Sequence, residues 1–305
     1  MDALTTTLEF VVEKLPYFAA GIVLVFLGKL FYNLTTRYDI DRHLTKERNN
    51  AVAVSFGGYL VGLAFAISTT LLGTTSDLLA ELSGIVITGA MAIVLLRMSM
   101  MINDRFVLFT FKVSTEIGDE KNVGTGYVVG GMSIATGLML SGVLSGSSGS
   151  LMLLMRDVMI YWAAGQLILV VDGLVFQAIT RYDVHKSIED DANPAVGISF
   201  GSFLVAQGLI VRTALTGAGS DLGRELLITA VIAGSGLVLL LIGRVIADKV
   251  FLPHGVLSQE VAEHKNTAAA VIAAAAFLVI AILFSTAVNP GLAAGAGAAV
   301  TGEVQ

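Results

Sequence analysis

The sequence predicts an all-α integral membrane protein of eight transmembrane helices, arranged as two parallel four-helix repeats. Three observations carry that prediction. The 305 residues are 55% hydrophobic and 14% charged with a mean hydropathy of +0.82, more apolar surface than a water-soluble fold of this length can hide. Apolar runs of about 20 residues, the length that crosses a hydrocarbon core roughly 30 Å thick as a helix, recur along the chain. A polar passage, TRYDIDRHLTKERNNAVAVSFGGYLV from Thr36, returns as TRYDVHKSIEDDANPAVGISFGSFLV from Thr180, an offset of 144 residues.

The apolar runs cover residues 14–34, 51–72, 84–103, 123–144, 157–179, 195–216, 226–247 and 267–288. Ahead of the first lie Asp2 and Glu9 and no basic stretch of the kind that opens a secretory signal, so this run is expected to remain in the mature chain. The fourth is diluted by glycine and serine, and its GYVVG at 126–130 has the spacing that lets helix backbones touch. A buried helix is expected there. The offset of 144 holds without a gap beyond the doubled passage: Ser76-Asp77 falls on Ser220-Asp221, Glu81 on Glu225, Asp104 on Asp248, Glu116 on Glu260 and Lys121-Asn122 on Lys265-Asn266. A bias toward apolar residues does not produce polar matches of this kind. The chain therefore reads as a tandem duplication joined at SGVLSGSSGS, 141–150. The expected domains are 1–145 and 146–305, the second ending in a short outward tail. With an even number of spans per copy, both copies share one orientation, and a pseudo-twofold axis along the membrane normal is expected.

Basic residues set that orientation. Arg37, Arg42, Lys46, Arg48, Arg105, Lys112, Lys121, Arg181, Lys186, Lys249 and Lys265 follow odd-numbered spans, against Lys14, Arg156, Arg212 and Arg224 on the other side. The odd-numbered connections are expected to be cytoplasmic, with both termini outside.

Several kinds of chemistry find no support. The chain has no cysteine, which removes disulfides, thiolate metal sites and cysteine nucleophiles together. It contains no HExxH, no GxxxxGK[ST] and no GxGxxG. No enzymatic activity, cofactor, metal or nucleic acid is expected; the expected partners are the lipid bilayer and a cytosolic protein. His43, His185, His254 and His264 all fall in connections without the spacing of metal ligands, and read as solvated, as does the acidic run Glu189, Asp190, Asp191.

The polar residues near and inside the spans are the candidate sites. Arg37-Tyr38 and Arg181-Tyr182 end apolar runs and read as interfacial anchors; Arg97 and Arg244, near the same side, are expected to snorkel to it. Asn49, Asn122, Asn193 and Asn266 stand where even-numbered spans begin, as N-caps do, with Pro194 at a first helical position. Four such N-termini opening on one side, with Lys121 and Lys265 beside two of them, make a candidate anion site; the alternative is four separate caps. Lys29 and Asp172 form the candidate intramembrane pair. In the repeat alignment Asp172 overlays Gly28 and Lys29 overlays Gly173, so each charge has a glycine opposite it and room to pair if spans one and five meet. Otherwise each faces its own neighbours.

The asparagine-led, small-residue spans RNNAVAVSFGGYLVG, KNVGTGYVVGGMSIATG, ANPAVGISFGSFLV and KNTAAAVIAAAAFLVIA resemble the bacterial inner-membrane family of domain of unknown function 350, YjfL-like, over about residues 14–290. The resemblance implies a four-span unit in the inner membrane, and members sometimes encoded near polyamine- or glutathione-linked enzymes and membrane-stress proteins. It implies no activity. Two function classes follow: a transporter or channel-like protein for a small solute or ion, and alternatively a non-catalytic scaffold that docks a cytosolic enzyme or stress protein through the duplicated loops. A polar cavity reaching Lys29 or Asp172 favours the first, and a dry interior the second.

Overall fold

The computed structural model of the protein describes residues 2–72, 77–145, 151–216, 221–251 and 256–289. Four long helices, α1 (Asp2–Thr35), α4 (Leu78–Phe106), α7 (Leu151–Ile179) and α10 (Leu222–Ile246), each lead into a six-residue helix: α2 (Ile40–Thr45), α5 (Val113–Gly118), α8 (Val184–Glu189) and α11 (Leu257–Ala262). Each short helix is followed by a second span: α3 (Asn50–Ser68), α6 (Val123–Val143), α9 (Pro194–Leu215) and α12 (Thr267–Ala287). Among the described residues, eight helices are long and apolar enough to cross a membrane, as the hydropathy predicts. This is a multi-pass membrane protein. The long helices begin earlier than their apolar runs because polar first turns extend them: Asp77 and Asp221 cap α4 and α10, accepting from Leu79 and Ala80 and from Arg224. Ser76, Ser220, His254, the join at 146–150 and the tail from 290 lie outside the described residues.

The order long span, short helix, span occurs four times, so the 144-residue copy is itself two turns of a smaller module. All four second spans start on the same side, that of the short helices, called the capped face below. They stand in a row. α6 touches α3 on one side and α9 on the other, and α12 continues past α9. The long spans form a staggered second layer: α1 lies on α3, α4 in the groove of α3 and α6, α7 in that of α6 and α9, and α10 in that of α9 and α12.

Glycine permits the row. A Cβ on Gly131 would lie 2.6 Å from the Cα of Gly201, and one on Gly208 would lie 2.6 Å from the Cα of Ala135. Gly58 meets Gly130, and Gly197 meets Gly124, in the same backbone-to-backbone manner. The predicted burial of the fourth span follows, with α6 83% buried against 17% for α1 at the edge.

The pseudo-twofold is not found. A twofold that brought α6 onto α9 would also bring α12 onto α3, yet α12 packs on α9 and α10, and its Ala268 and Ala275 are exposed. The joints run in one direction instead, each module using one face of its second span toward its predecessor and the opposite face toward its successor.

Candidate functional site

The capped face is built from a local rule that repeats four times. After each six-residue helix the chain turns on one residue in the left-handed region: Arg48 (φ 49°), Lys121 (φ 54°), Ala192 (φ 47°) and Lys265 (φ 50°). The next residue is an asparagine whose backbone N–H reaches back six residues, Asn49 to His43 at 2.9 Å and Asn122 to Glu116 at 2.8 Å. Its side-chain oxygen then accepts from the opening N–H groups of the span: Asn49 from Ala51 and Val52, Asn122 from Thr125, Asn193 from Ala195 and Val196, Asn266 from Ala269. The four predicted caps are caps, with Pro194 at the start of α9.

Their carboxamide nitrogens do something the sequence does not disclose. Asn49 donates to the carbonyl of Ile117 at 2.8 Å, Asn122 to that of Ile188 at 2.5 Å and Asn193 to that of Val261 at 2.9 Å. Each acceptor is the fifth residue of the next short helix, so these three asparagines each tie their own module to the following one. Asn122 and Asn266 also donate to their own Glu116 and Glu260, both at 2.8 Å. The four helix N-termini are thus arrayed in a row and filled by their own side chains. Lys121 and Lys265 point elsewhere, to the carbonyls of Glu47 (3.5 Å) and Asp191 (2.7 Å) and the carboxylates of the same residues. A convergent anion site does not form from these residues, because the row holds the caps apart and each cap satisfies its own donors.

Charge differs along the row. Burial at the joint between the copies pushes the Glu116 carboxyl above the usual range, the Asn122 amide opposing and Glu189, Glu120 and Asp190 adding to it. Its counterpart Glu260 is held below that range by hydrogen bonds from Asn266 and His264.

Two pockets open at this face. The larger, about 480 Å³, lies where the end of α1 meets α4 and α5; its charged lining is Arg37, Arg97, Arg105 and Lys112 against Asp104. Its counterpart in the second copy, about 340 Å³, is lined by Arg181, Arg244 and Asp248. Arg97 and Arg244, expected to snorkel, are each held by protein groups at the end of the neighbouring long span. Arg97 donates to the Thr35 hydroxyl at 2.7 Å and its carbonyl at 2.8 Å, lying 4.9 Å over the Tyr32 ring; Arg244 donates to the Thr180 hydroxyl at 2.9 Å, 5.4 Å over Phe176. A carbonyl left open at the end of a helix, as on Thr35, accepts readily from a guanidinium. The two arginines are not repeat equivalents, since Leu241 and Met100 hold the offset positions, yet they reach the same place.

The tyrosine anchors also turn inward. Tyr38 lies 5.4 Å from the His43 ring and against Gly118, and burial raises its hydroxyl pKa. Burial pushes Tyr182 to about 12, with Arg244 opposing. Arg37 and Arg181 are exposed, as an interfacial role requires. Of the histidines, His264 is exposed, but His43 is largely buried against Glu47 at 3.2 Å and Asn49 at 3.4 Å, and His185 bonds the Val107 carbonyl at 2.9 Å. Glu189, Asp190 and Asp191 are exposed.

Lys29 and Asp172 do not pair. α2 folds back along the end of α1, which places Asp41 3.1 Å from the Lys29 ammonium. Asp172 is 2% exposed and faces Gln207 of α9; its Oδ2 and the Gln207 Oε1 both lack a hydrogen-bond partner. The glycines opposite are filled by other groups: Gly28 by Leu63 and by the Tyr59 hydroxyl, which donates to its carbonyl at 3.0 Å, and Gly173 by Val107. The contacts that do join α4 to α7 are Trp162 to Ser99 at 2.8 Å and Gln166 to Asn103 at 2.6 Å. Beside Asn103 only about 10 Å³ is open, between Val107, Met132, Ala135, Leu169 and Leu204. That is too small for a solute.

The family described as Domain of Unknown Function (DUF350) matches the chain twice, over residues 6–144 and 150–288. No curated protein and no solved structure matches the chain.

Proposed function

From the premise that this chain belongs to the DUF350 family in both of its halves, we propose that it is a non-catalytic scaffold of the bacterial inner membrane that docks a soluble partner on its capped face. The observation that carries this reading is the backbone contact along α3, α6, α9 and α12. Main chain fills the contacts along the row, where a conducting path would run, and the two charged pockets open at the ends of the helices. The basic connections support an orientation with the capped face in the cytoplasm and both termini outside. There the larger pocket, with four cationic side chains against one carboxylate, suits an acidic group offered by a soluble protein.

Purified protein in liposomes is expected to pass small cations and anions no faster than protein-free vesicles. Flux that Asp172→Asn abolishes would assign the protein to transport instead. An impermeant label is expected to reach a tag at either terminus from the periplasm and to miss one inserted at residues 40–48.

A further inference from the structure

We infer that the chain assembles head to tail with copies of itself, the outer face of α12 in one copy docking on the outer face of α3 in the next. The inference goes beyond the scaffold reading and stands without any soluble partner. It starts from the one-directional joints. At the joint between the two halves of the chain, α6 offers Gly124, Gly131 and Ala135 to Gly197, Gly201 and Gly208 of α9. The same offset of 144 residues carries those donor positions to Ala268, Ala275 and Val279 of α12, and the acceptor positions to Ala53, Gly57 and Ala64 of α3. Both sets are open. Ala268, Ala275, Val279, Ala53 and Ala64 are exposed, and nothing lies within 4 Å of a Cβ built on Gly57. The last module therefore ends in an unused donor face and the first begins with an unused acceptor face, of small residues that let backbones approach.

The polar atoms above these faces follow the same register. Asn49, Asn122 and Asn193 each donate to the fifth residue of the next short helix, while among the described residues Asn266 donates only to its own Glu260. The fifth residue of α2 is Leu44, and its carbonyl in a following copy is where Asn266 would reach. Charge fits this contact better than it fits the internal joint. Inside the chain Glu116 lies beside Glu189 and Asp190, whereas the corresponding residues of a following copy are Thr45 and the exposed Lys46, which Glu260 would face. A contact of two different faces is heterologous and propagates from copy to copy, closing as a ring or continuing as a row.

The chain has no native cysteine, so the test needs only two substitutions. Oxidising native membranes that contain the full chain with Ala53→Cys and Ala268→Cys together should give a ladder of dimers, trimers and larger products, while either change alone gives none. No ladder, or cross-linking by one single variant as strong as by the pair, overturns the inference. Gly57→Leu separates assembly from folding, because it extends into open space in the single chain. It should leave folded yield and melting unchanged and reduce the ladder at least tenfold. A ladder unchanged by Gly57→Leu also overturns the inference, and assigns the two faces to lipid.

Discussion

The carboxamide of Asn122 donates to the carbonyl of Ile188, a bond that crosses from one copy of the repeat to the other at a buried position. Both Asn122→Ala and Asn266→Ala remove a helix cap and a bond to the module's own glutamate, but only Asn122→Ala also leaves a buried carbonyl across the joint unsatisfied. The first should cost about 2–4 kcal/mol, a cap plus an orphaned acceptor, and the second about 0.5–2 kcal/mol. Equal shifts in detergent melting would show that the cross-joint bond contributes nothing.

Gly131 and Gly57 test the row of spans with one substitution. A methyl group at Gly131 meets the Gly201 backbone at 2.6 Å, and two helices must separate to admit it. Gly131→Ala should cost about 1–3 kcal/mol or abolish folding. Gly57→Ala meets nothing within 4 Å and should be neutral or stabilising by up to about 1 kcal/mol, the helix preference of alanine. Folded yield and melting of the two variants, side by side, check the contrast.

Lys29 and Asp172 should behave as strangers. Lys29→Met breaks a half-exposed ion pair with Asp41 and should cost no more than about 1 kcal/mol. Asp172→Asn removes a buried carboxylate whose Oδ2 has no hydrogen-bond partner and should stabilise by about 1 kcal/mol. In a double-mutant cycle the two should add within about 0.5 kcal/mol, whereas Lys29→Met and Asp41→Asn should couple.

Glu116 and Glu260, matched in the repeat, should respond to pH with opposite sign. The folded state lowers the Glu260 pKa, so its contribution is present above the ordinary carboxylate value and is lost as pH falls through the folded one. The folded state raises the Glu116 pKa, so stability is lost as pH rises from the ordinary value through the raised one. At neutral pH Glu116→Gln should raise the melting temperature and Glu260→Gln should lower it. Both differences should shrink below about pH 3, where ordinary carboxyls are protonated. Shifts of the same sign at neutral pH would refute the assignment.

The eight spans, the duplication and the four caps are legible in the sequence because each rests on a local signal: a run of apolar residues, a polar match at fixed offset, an asparagine before a small-residue helix. The two-span module is not legible. IDRHLT, VSTEIG, VHKSIE and LSQEVA share a length and almost no letters, since a six-residue helix needs only an apolar residue at its first and fifth places to sit on the spans. The turn before each asparagine is equally silent, its left-handed position held by Arg, Lys, Ala and Lys where glycine would have marked it. The Lys29 partner was hidden for a different reason. Nothing in the spacing of Lys29 and Asp41 says that α2 doubles back along α1, whereas the glycines opposite Lys29 and Asp172 advertise a space that Leu63 and Val107 fill.

A chain whose joints all run one way can change length by copying. Because every module enters and leaves the membrane on the same side and presents the same pair of faces, a descendant that gained or lost one whole module would keep its remaining helices upright and its joints compatible. Loss of a single helix would turn everything after it upside down. Such a protein is easiest to lengthen or shorten in steps of two helices, and the inheritable unit is the loop of two spans and a short helix, half the length of the duplication that its letters record.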